Sequence, residues 1–141
     1  MINKINAAQN NINFKSSMRS DPKLNEYLGK AKTIDLYDFA ATLDLLSQDG
    51  KDDIYFLKED VYKYTNFGEI YTRPMLNLFK RSGEDLSLKR ITSIIIGKRT
   101  LETTPENVVS ELSSILRRCC DHIRTDKFRQ GVVENVKKLM V

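Results

Sequence analysis

The first regular hydrophobic pattern of the chain follows the pair Asp21-Pro22. Apolar side chains then recur every three or four residues, the spacing of one helix face, at Leu24, Tyr27, Leu28 and Ala31. Asp21 can cap the free amides of such a helix, and Pro22 suits its first turn. A wider apolar stripe over residues 33–48 predicts a second, core-forming helix, and Gly50 is placed to end it in the left-handed conformation.

The hydrophobic pattern changes character between residues 53 and 73. Residues 54–57 and 61–64 are rich in aromatic and β-branched side chains, which favour strands. Residues 65–68 fit a three-residue hairpin loop with a glycine bulge, and residues 69–73 form the returning strand. This region therefore predicts a small antiparallel sheet of two or three strands, which needs helices to cover it.

Helical patterns return in the C-terminal half. Pro74 predicts the start of a short helix over residues 75–81, and Ser87 is placed to cap a helix that ends at Gly97. The three consecutive isoleucines at positions 94–96 also favour a strand. The clearest helical pattern begins at residues 104–106 and continues to about Arg124, and a last helix spans about residues 126–140.

Together these elements predict an α+β fold, with helices at both ends around a small two- or three-stranded antiparallel sheet at residues 53–73. Residues 1–20 are rich in Asn, Lys and Ser and show no sustained pattern. They predict a flexible N-terminal tail, followed by a single α+β domain over residues 21–141.

Composition restricts the class of protein. The 141 residues are 40% hydrophobic and 30% charged, which is typical of a soluble globular domain. No apolar run is long enough to cross a bilayer, and the N-terminus lacks the apolar core of a secretion signal. The two cysteines are adjacent, which makes a poor disulfide framework. We therefore expect a cytoplasmic protein without membrane association.

The charge is unevenly distributed along the chain. Residues 1–73 hold 10 basic and 11 acidic side chains, whereas residues 74–141 hold 13 basic and 8 acidic ones. The C-terminal half therefore has a net charge of +5, which favours an acidic partner such as nucleic acid.

Residues 117–124 contain both cysteines and the only histidine. If one helix runs through this stretch, Cys119 lies at the centre of the apolar stripe, and Cys120 and His122 lie on opposite sides of it. Such an arrangement offers neither a metal site nor a nucleophile with its base. No calcium loop or phosphate-binding loop meets its spacing requirement elsewhere. The sequence thus predicts no catalytic residue, no cofactor and no metal.

Residues 87–99 read Ser-Leu-Lys-Arg-Ile-Thr-Ser-Ile-Ile-Ile-Gly-Lys-Arg. This stretch resembles the recognition helix of repressors of the Cro type, with residues 74–81 in the place of the supporting helix. The resemblance implies base contacts from Lys89, Thr92 and Ser93 and phosphate contacts from Arg90, Lys98 and Arg99. The turn over residues 82–86 is longer than in that family and adds two carboxylates.

Three functional hypotheses follow. The first is a non-enzymatic interaction or regulatory domain that acts through its surface on a macromolecular partner, either another protein or a second copy. The alternative is a DNA- or RNA-binding domain with a helix-turn-helix-like element near residues 74–99. An enzyme without a recognisable local motif is the third. In the first two, the candidate contacts to nucleic acid or an acidic partner are the side chains implied by the resemblance together with Arg117, Arg118 and Arg124.

Overall fold

A computed structural model describes residues 15–120 and 122–140, and in the second segment it describes the side chains from Arg129 onward. Two helices precede a sheet and two follow it, so the predicted α+β class is confirmed. The elements in chain order are β1 (Ser17–Met18), α1 (Pro22–Lys30), α2 (Thr33–Ser47), β2 (Ile54–Asn66), β3 (Glu69–Arg81), β4 (Leu88–Ile95), a short 3-10 helix (Pro105–Asn107), α3 (Val108–Cys119) and α4 (His122–Leu139).

The sheet is built around one long hairpin. β2 and β3 pair antiparallel over their full length of 13 residues each. β4 adds to the free edge of β3 in antiparallel register, with a bulge at Leu78/Phe79. The two-residue β1 pairs in parallel with the start of β2. The strand order is therefore that of the chain, and the sheet is mixed.

Helices α1, α2 and α3 cover one face of this sheet. Side chains of α1, α2 and α3 form a single core with alternate residues of the strands, namely Tyr55, Leu57, Leu76, Leu78 and Ile94. α3 contributes more buried side chains to this core than any other element. Their spacing of three or four positions places them on one face of the helix. Burying each Leu or Ile in this way contributes about 1.5–3 kcal/mol to the free energy of unfolding. The packing of the helices on the sheet therefore stabilises the domain.

The predicted start of the first helix and the predicted stop after the second are confirmed. The Asp21 carboxylate accepts hydrogen bonds from the amides of Lys23 and Leu24 at 2.7 and 2.9 Å, and Pro22 lies in the first turn of α1. Gly50 has a positive φ of 77° after the end of α2, which only glycine adopts without strain.

The helix predicted over residues 75–81 is wrong, because these residues are the second half of β3. Pro74 does not break the strand. Its carbonyl accepts a hydrogen bond from Ile96, just past the end of β4. Since the N and O atoms of one strand residue point to the same side, the missing N–H of Pro74 lies on the β4 side. The ladder between β2 and β3 therefore continues unbroken past Val61, the partner of Pro74.

The helix predicted over residues 88–97 is also wrong, because Leu88–Ile95 is strand β4. Its β-branched residues suit the pleated surface, and the available edge of β3 decides between the two structures. Residues 74–99, all of them described, thus contain strands in the place of both predicted helices. The helix-turn-helix interpretation is wrong. Nucleic-acid binding through another surface stays a hypothesis.

Two turns differ from their predicted form. The hairpin loop has two residues, Phe67 and Gly68, both with positive φ (53° and 80°). This geometry matches the right-handed twist of the flanking strands better than the predicted three-residue loop. The predicted helix through Arg124 ends earlier, because α3 stops at Cys119 and Cys120 has an extended backbone.

The N-terminal part of the described chain is anchored at residues 16–19. The Ser16 hydroxyl donates to Asp49 at 3.0 Å and accepts from the Asp53 amide at 3.2 Å. It joins the end of α2 to the start of β2, and the neighbouring backbone of β1 adds to the sheet. Residues 1–14 of the predicted tail lie outside the described residues. Among the described helices, none combines the length and apolarity needed to span a bilayer.

We expect Ser16→Ala to lower the free energy of unfolding by about 1–3 kcal/mol, because a buried carboxylate and amide lose their shared partner. The adjacent Ser17 is exposed and serves as the matched control. Ser17→Ala should change stability by less than about 0.5 kcal/mol. Urea denaturation monitored by circular dichroism measures both variants. Equal effects of the two substitutions would show that the Ser16 bridge is unimportant.

Candidate binding surface on the open face of the sheet

The two faces of the hairpin carry different side chains. Alternation along β2 sends Tyr55 and Leu57 into the core beneath the helices, and Phe56, Lys58, Tyr62 and Tyr64 to the other side. The side chains of β3 that share this second side are set by the register and include Tyr71 and Arg73. We call this second side the open face.

Three tyrosines form a ladder near the hairpin turn. Tyr64 lies directly opposite Tyr71 across the two strands, and their ring centroids are 5.5 Å apart. Tyr62, two residues before Tyr64 on β2, stacks on it at 5.7 Å. The ladder results from strand register alone, because residues two apart on a strand and residues opposite one another share a face.

Two arginines interleave with these rings. The guanidinium carbon of Arg73 lies 5.9 Å from the Tyr64 ring centroid. Arg99 lies 5.8 Å from the Tyr64 ring and 5.3 Å from the Tyr71 ring, and it donates a 2.9 Å hydrogen bond to the Tyr64 hydroxyl. Such contacts combine electrostatic attraction with packing. We call Tyr62, Tyr64, Tyr71, Arg73 and Arg99 the tyrosine–arginine cluster.

Glu102 holds the loop that delivers Arg99 to the cluster. Its carboxylate accepts from the Arg99 amide at 3.0 Å and pairs with the Arg73 side chain at 3.4 Å. The loop is closed at its ends by a bridge between Ile96 and Thr103. A Cβ at Gly97 would overlap the Glu102 carboxylate, so an alanine here would force that side chain to move. The cluster is therefore assembled from two distant parts of the chain.

A second group of rings and cations lies at the opposite end of the open face. Phe56 stacks on Phe79 at 5.6 Å, with Arg19 over the first ring and Lys58 over the second. Phe56 is buried beneath Arg19, so it offers little free ring surface.

A polar chain separates the two groups of rings and cations. The Ser93 hydroxyl donates to Asn77, and the Asn77 amide donates to Asp60. Asp60 is therefore a carboxylate in the middle of the open face.

The candidate contacts named from the sequence fall on three surfaces. Arg90 and Ser93 lie on the open face, and Lys98 adjoins Arg99 in the loop beside it. Lys89 and Thr92 alternate to the other side of β4, where Thr92 and Arg118 line a small cavity. Arg117 instead pairs with Asp38 of α2. The Arg124 side chain lies outside those described.

The cysteines do not form a reactive site. Cys119 and Cys120 are half-buried against the core, which confirms the predicted packing of Cys119. Burial raises the pKa of both thiols and keeps them protonated near neutral pH. Burial also raises the pKa of the neighbouring Tyr55 hydroxyl. Among the described side chains, no three metal-ligating groups converge on one position.

A groove of about 530 Å³ lies on the helix side, between α1 and the hairpin. Three of the charges on its wall are paired with one another, because Lys23 lies 3.5 Å from Glu26 and 3.4 Å from Glu59. The hydrogen bond to Glu59 raises the pKa of Lys23, so this amine stays protonated. Asp60 and Arg73 also line the groove, and they bind Asn77 and Glu102, respectively.

Sequence reasoning missed the tyrosines and Arg73 as candidate contacts. The signal was present in the spacing Tyr62-x-Tyr64 and Tyr71-x-Arg73 on either side of the turn. With a two-residue loop, this spacing places Tyr64 opposite Tyr71 and Tyr62 opposite Arg73. The predicted three-residue loop gives a different register, in which Tyr64 does not lie opposite Tyr71.

We expect Gly97→Ala to reduce stability by about 1–3 kcal/mol, because the new methyl group displaces the Glu102 carboxylate. In a Glu102→Ala background the same change should cost less. Urea denaturation of the unchanged protein, the two single variants and the double variant measures the coupling between the two positions. Gly29→Ala is the control, since nothing lies near its added methyl group. An equal cost of Gly97→Ala in both backgrounds contradicts the role given to Glu102.

Comparison with known proteins does not assign the chain to a family. No family model, curated protein or solved structure matches the chain. The functional argument therefore rests on the geometry of the open face.

Proposed function

We propose that this chain is a non-enzymatic binding domain that recognises an anionic macromolecule through the open face of its sheet. The observation that carries the proposal is the tyrosine–arginine cluster. It places three neighbouring rings and two guanidinium groups on a face that the core helices leave uncovered. Aromatic and Arg side chains are the residue types most enriched at the centre of binding surfaces.

The charges of the open face support an anionic partner. Cations outnumber carboxylates among its described side chains, with Arg19, Lys58, Arg73, Arg81, Arg90 and Arg99 against Asp60, Glu69 and Glu102. Glu69 accepts a hydrogen bond from the Tyr71 hydroxyl at 2.6 Å, which raises the pKa of Tyr71, and Asp60 accepts one from Asn77. Glu102 is paired with Arg73, so all three carboxylates are engaged, whereas Lys58 and Arg90 extend the cationic surface beyond the cluster.

A binding role fits the described titratable groups better than catalysis does. Cys119, Cys120 and Tyr55 have raised pKa values and lie against the core, which makes them poor nucleophiles near neutral pH. The open face carries guanidinium and phenol groups, which bind and orient but seldom exchange protons at that pH. The proposal therefore favours the two binding hypotheses over an enzyme.

The test compares two variants that lose the same charge. Lys98→Ala/Arg99→Ala removes two exposed cations at the cluster, and Lys30→Ala/Lys32→Ala removes two exposed cations from the helix layer. On immobilised heparin, we expect the first variant to elute at clearly lower salt than the unchanged protein. The second should elute close to it, because position decides the interaction as well as net charge.

Two results would contradict the proposal. One is an equal shift of both variants, which assigns retention to net charge alone. The other is no retention of the unchanged protein at about 50 mM salt, where phosphate-type contacts are strong. Circular dichroism of each variant confirms that it is folded before it is applied to the column.

A further inference from the structure

Tyr62 is the last ring in the stack of three tyrosines that runs from Tyr71 through Tyr64. This side chain is 38% exposed, and only Tyr64 stacks on it among the described aromatic residues. The rings of Tyr64 and Tyr71 continue the ladder behind it, with Arg99 over both. A planar group that lands on Tyr62 therefore extends an existing stack, and the ladder behind Tyr62 holds that ring in position.

The cations of the cluster are placed to bind a negatively charged group next to that stack. Arg99 is exposed, and the hydrogen bond to Tyr64 occupies only one of its five donors. Lys98 is exposed beside it. Arg73 is committed to Glu102 and serves mainly to hold the loop. The free positive charge of the cluster thus comes from Arg99, and Lys98 adjoins it in the loop.

We propose that the tyrosine–arginine cluster binds single-stranded nucleic acid. Bases stack on Tyr62 and the ladder behind it, and phosphates pair with Arg99 and Lys98. Alternating π-faces and cations are how proteins bind single strands without reading their sequence. The inference rests on the proposed function, because it names the anionic partner of the same open face.

The aromatic rings favour nucleic acid over an acidic peptide as the anionic partner. Arginine and lysine pair equally well with carboxylates and phosphates, so the cations alone do not discriminate. A peptide made acidic by Asp and Glu brings no aromatic ring with each charge, whereas every nucleotide carries a base beside its phosphate. Stacking of one base on an aromatic side chain is worth about 1–3 kcal/mol, which exceeds a surface ion pair.

The shape of the surface favours a single strand over a duplex. Tyr62 stands on a sheet, and a ring on a sheet reaches only bases that are free to turn outward. In a duplex the bases stack on each other, and their faces are closed to protein rings. The open face also runs about 27 Å from Tyr64 to Phe56 along β2, at about 3.4 Å per residue. Lys58 lies on that path and Arg90 lies on β4 near its far end, with Asp60 between them and Tyr62.

The experiment measures fluorescence anisotropy of labelled probes at about 50 mM salt. The probes are oligo(dT) and oligo(U) of about 12 nucleotides, a duplex of the same length and a poly-glutamate of equal charge. We expect both single strands to bind more tightly than the duplex and the peptide. Quenching of the intrinsic tyrosine fluorescence should accompany binding, since the chain has six tyrosines and no tryptophan.

Substitutions at Tyr62 separate stacking from charge. Tyr62→Ala should weaken binding to the single strands about 5- to 150-fold, the range expected for one lost stacked base. Tyr62→Phe retains the ring and should stay within about twofold, because stacking needs no hydroxyl. Tyr37→Ala is the matched control, since Tyr37 is 75% exposed on α2 and far from the open face in the fold.

The outcomes distinguish this inference from the proposed function. If poly-glutamate binds as tightly as the single strands, or Tyr62→Ala has no effect, the nucleic-acid inference fails and anion binding by the open face stands. If the duplex binds more tightly than the single strands, the stacking geometry is wrong. If no probe binds, both proposals are overturned.

Discussion

The structure depends on the antiparallel pairing of β2 and β3 over 13 residues each. This register sends Tyr55, Leu57, Leu76 and Leu78 to one side, where they form the core with the helices. The same register sends the tyrosines and Arg73 to the opposite side. A slip of one residue would exchange the two sets of side chains, so the buried row fixes the position of the exposed row. Core packing and the candidate binding surface are thus two consequences of one ladder.

Helices α1 to α3 cover the core face, and β4 with the loop after it completes the open face. α3 and α2 close the core, and Ser16 ties the start of β2 to the end of α2. Beyond β4, the chain turns back through a loop that Glu102 holds against Arg73 and Gly97. That loop brings Arg99 to Tyr64, although 35 positions separate them in the chain. The binding surface therefore needs the fold, and a short segment cannot reproduce it.

The sequence predicted those features that depend on local geometry. The Asp21 cap, the α2 stripe, the Gly50 terminus and the apolar face of α3 were all evident from spacing and residue type. The C-terminal half of β3 and all of β4 were predicted as helices, since no local rule reports that an open strand edge is available to pair. The contact of Arg99 with the tyrosines could not be predicted, because it depends on the register of the hairpin and on the path of a later loop.

We propose that this domain meets its partner at the open face, and at the tyrosine–arginine cluster in particular. NMR spectroscopy of the full chain tests it directly, by following tyrosine ring and backbone amide signals as oligo(dT) is added. We predict that the largest shifts occur at Tyr62, Tyr64, Tyr71 and Arg99, while signals from α1 and α2 stay in place. Shifts confined to the basic residues of α3 and α4, such as Arg118 and Lys137, would contradict the account.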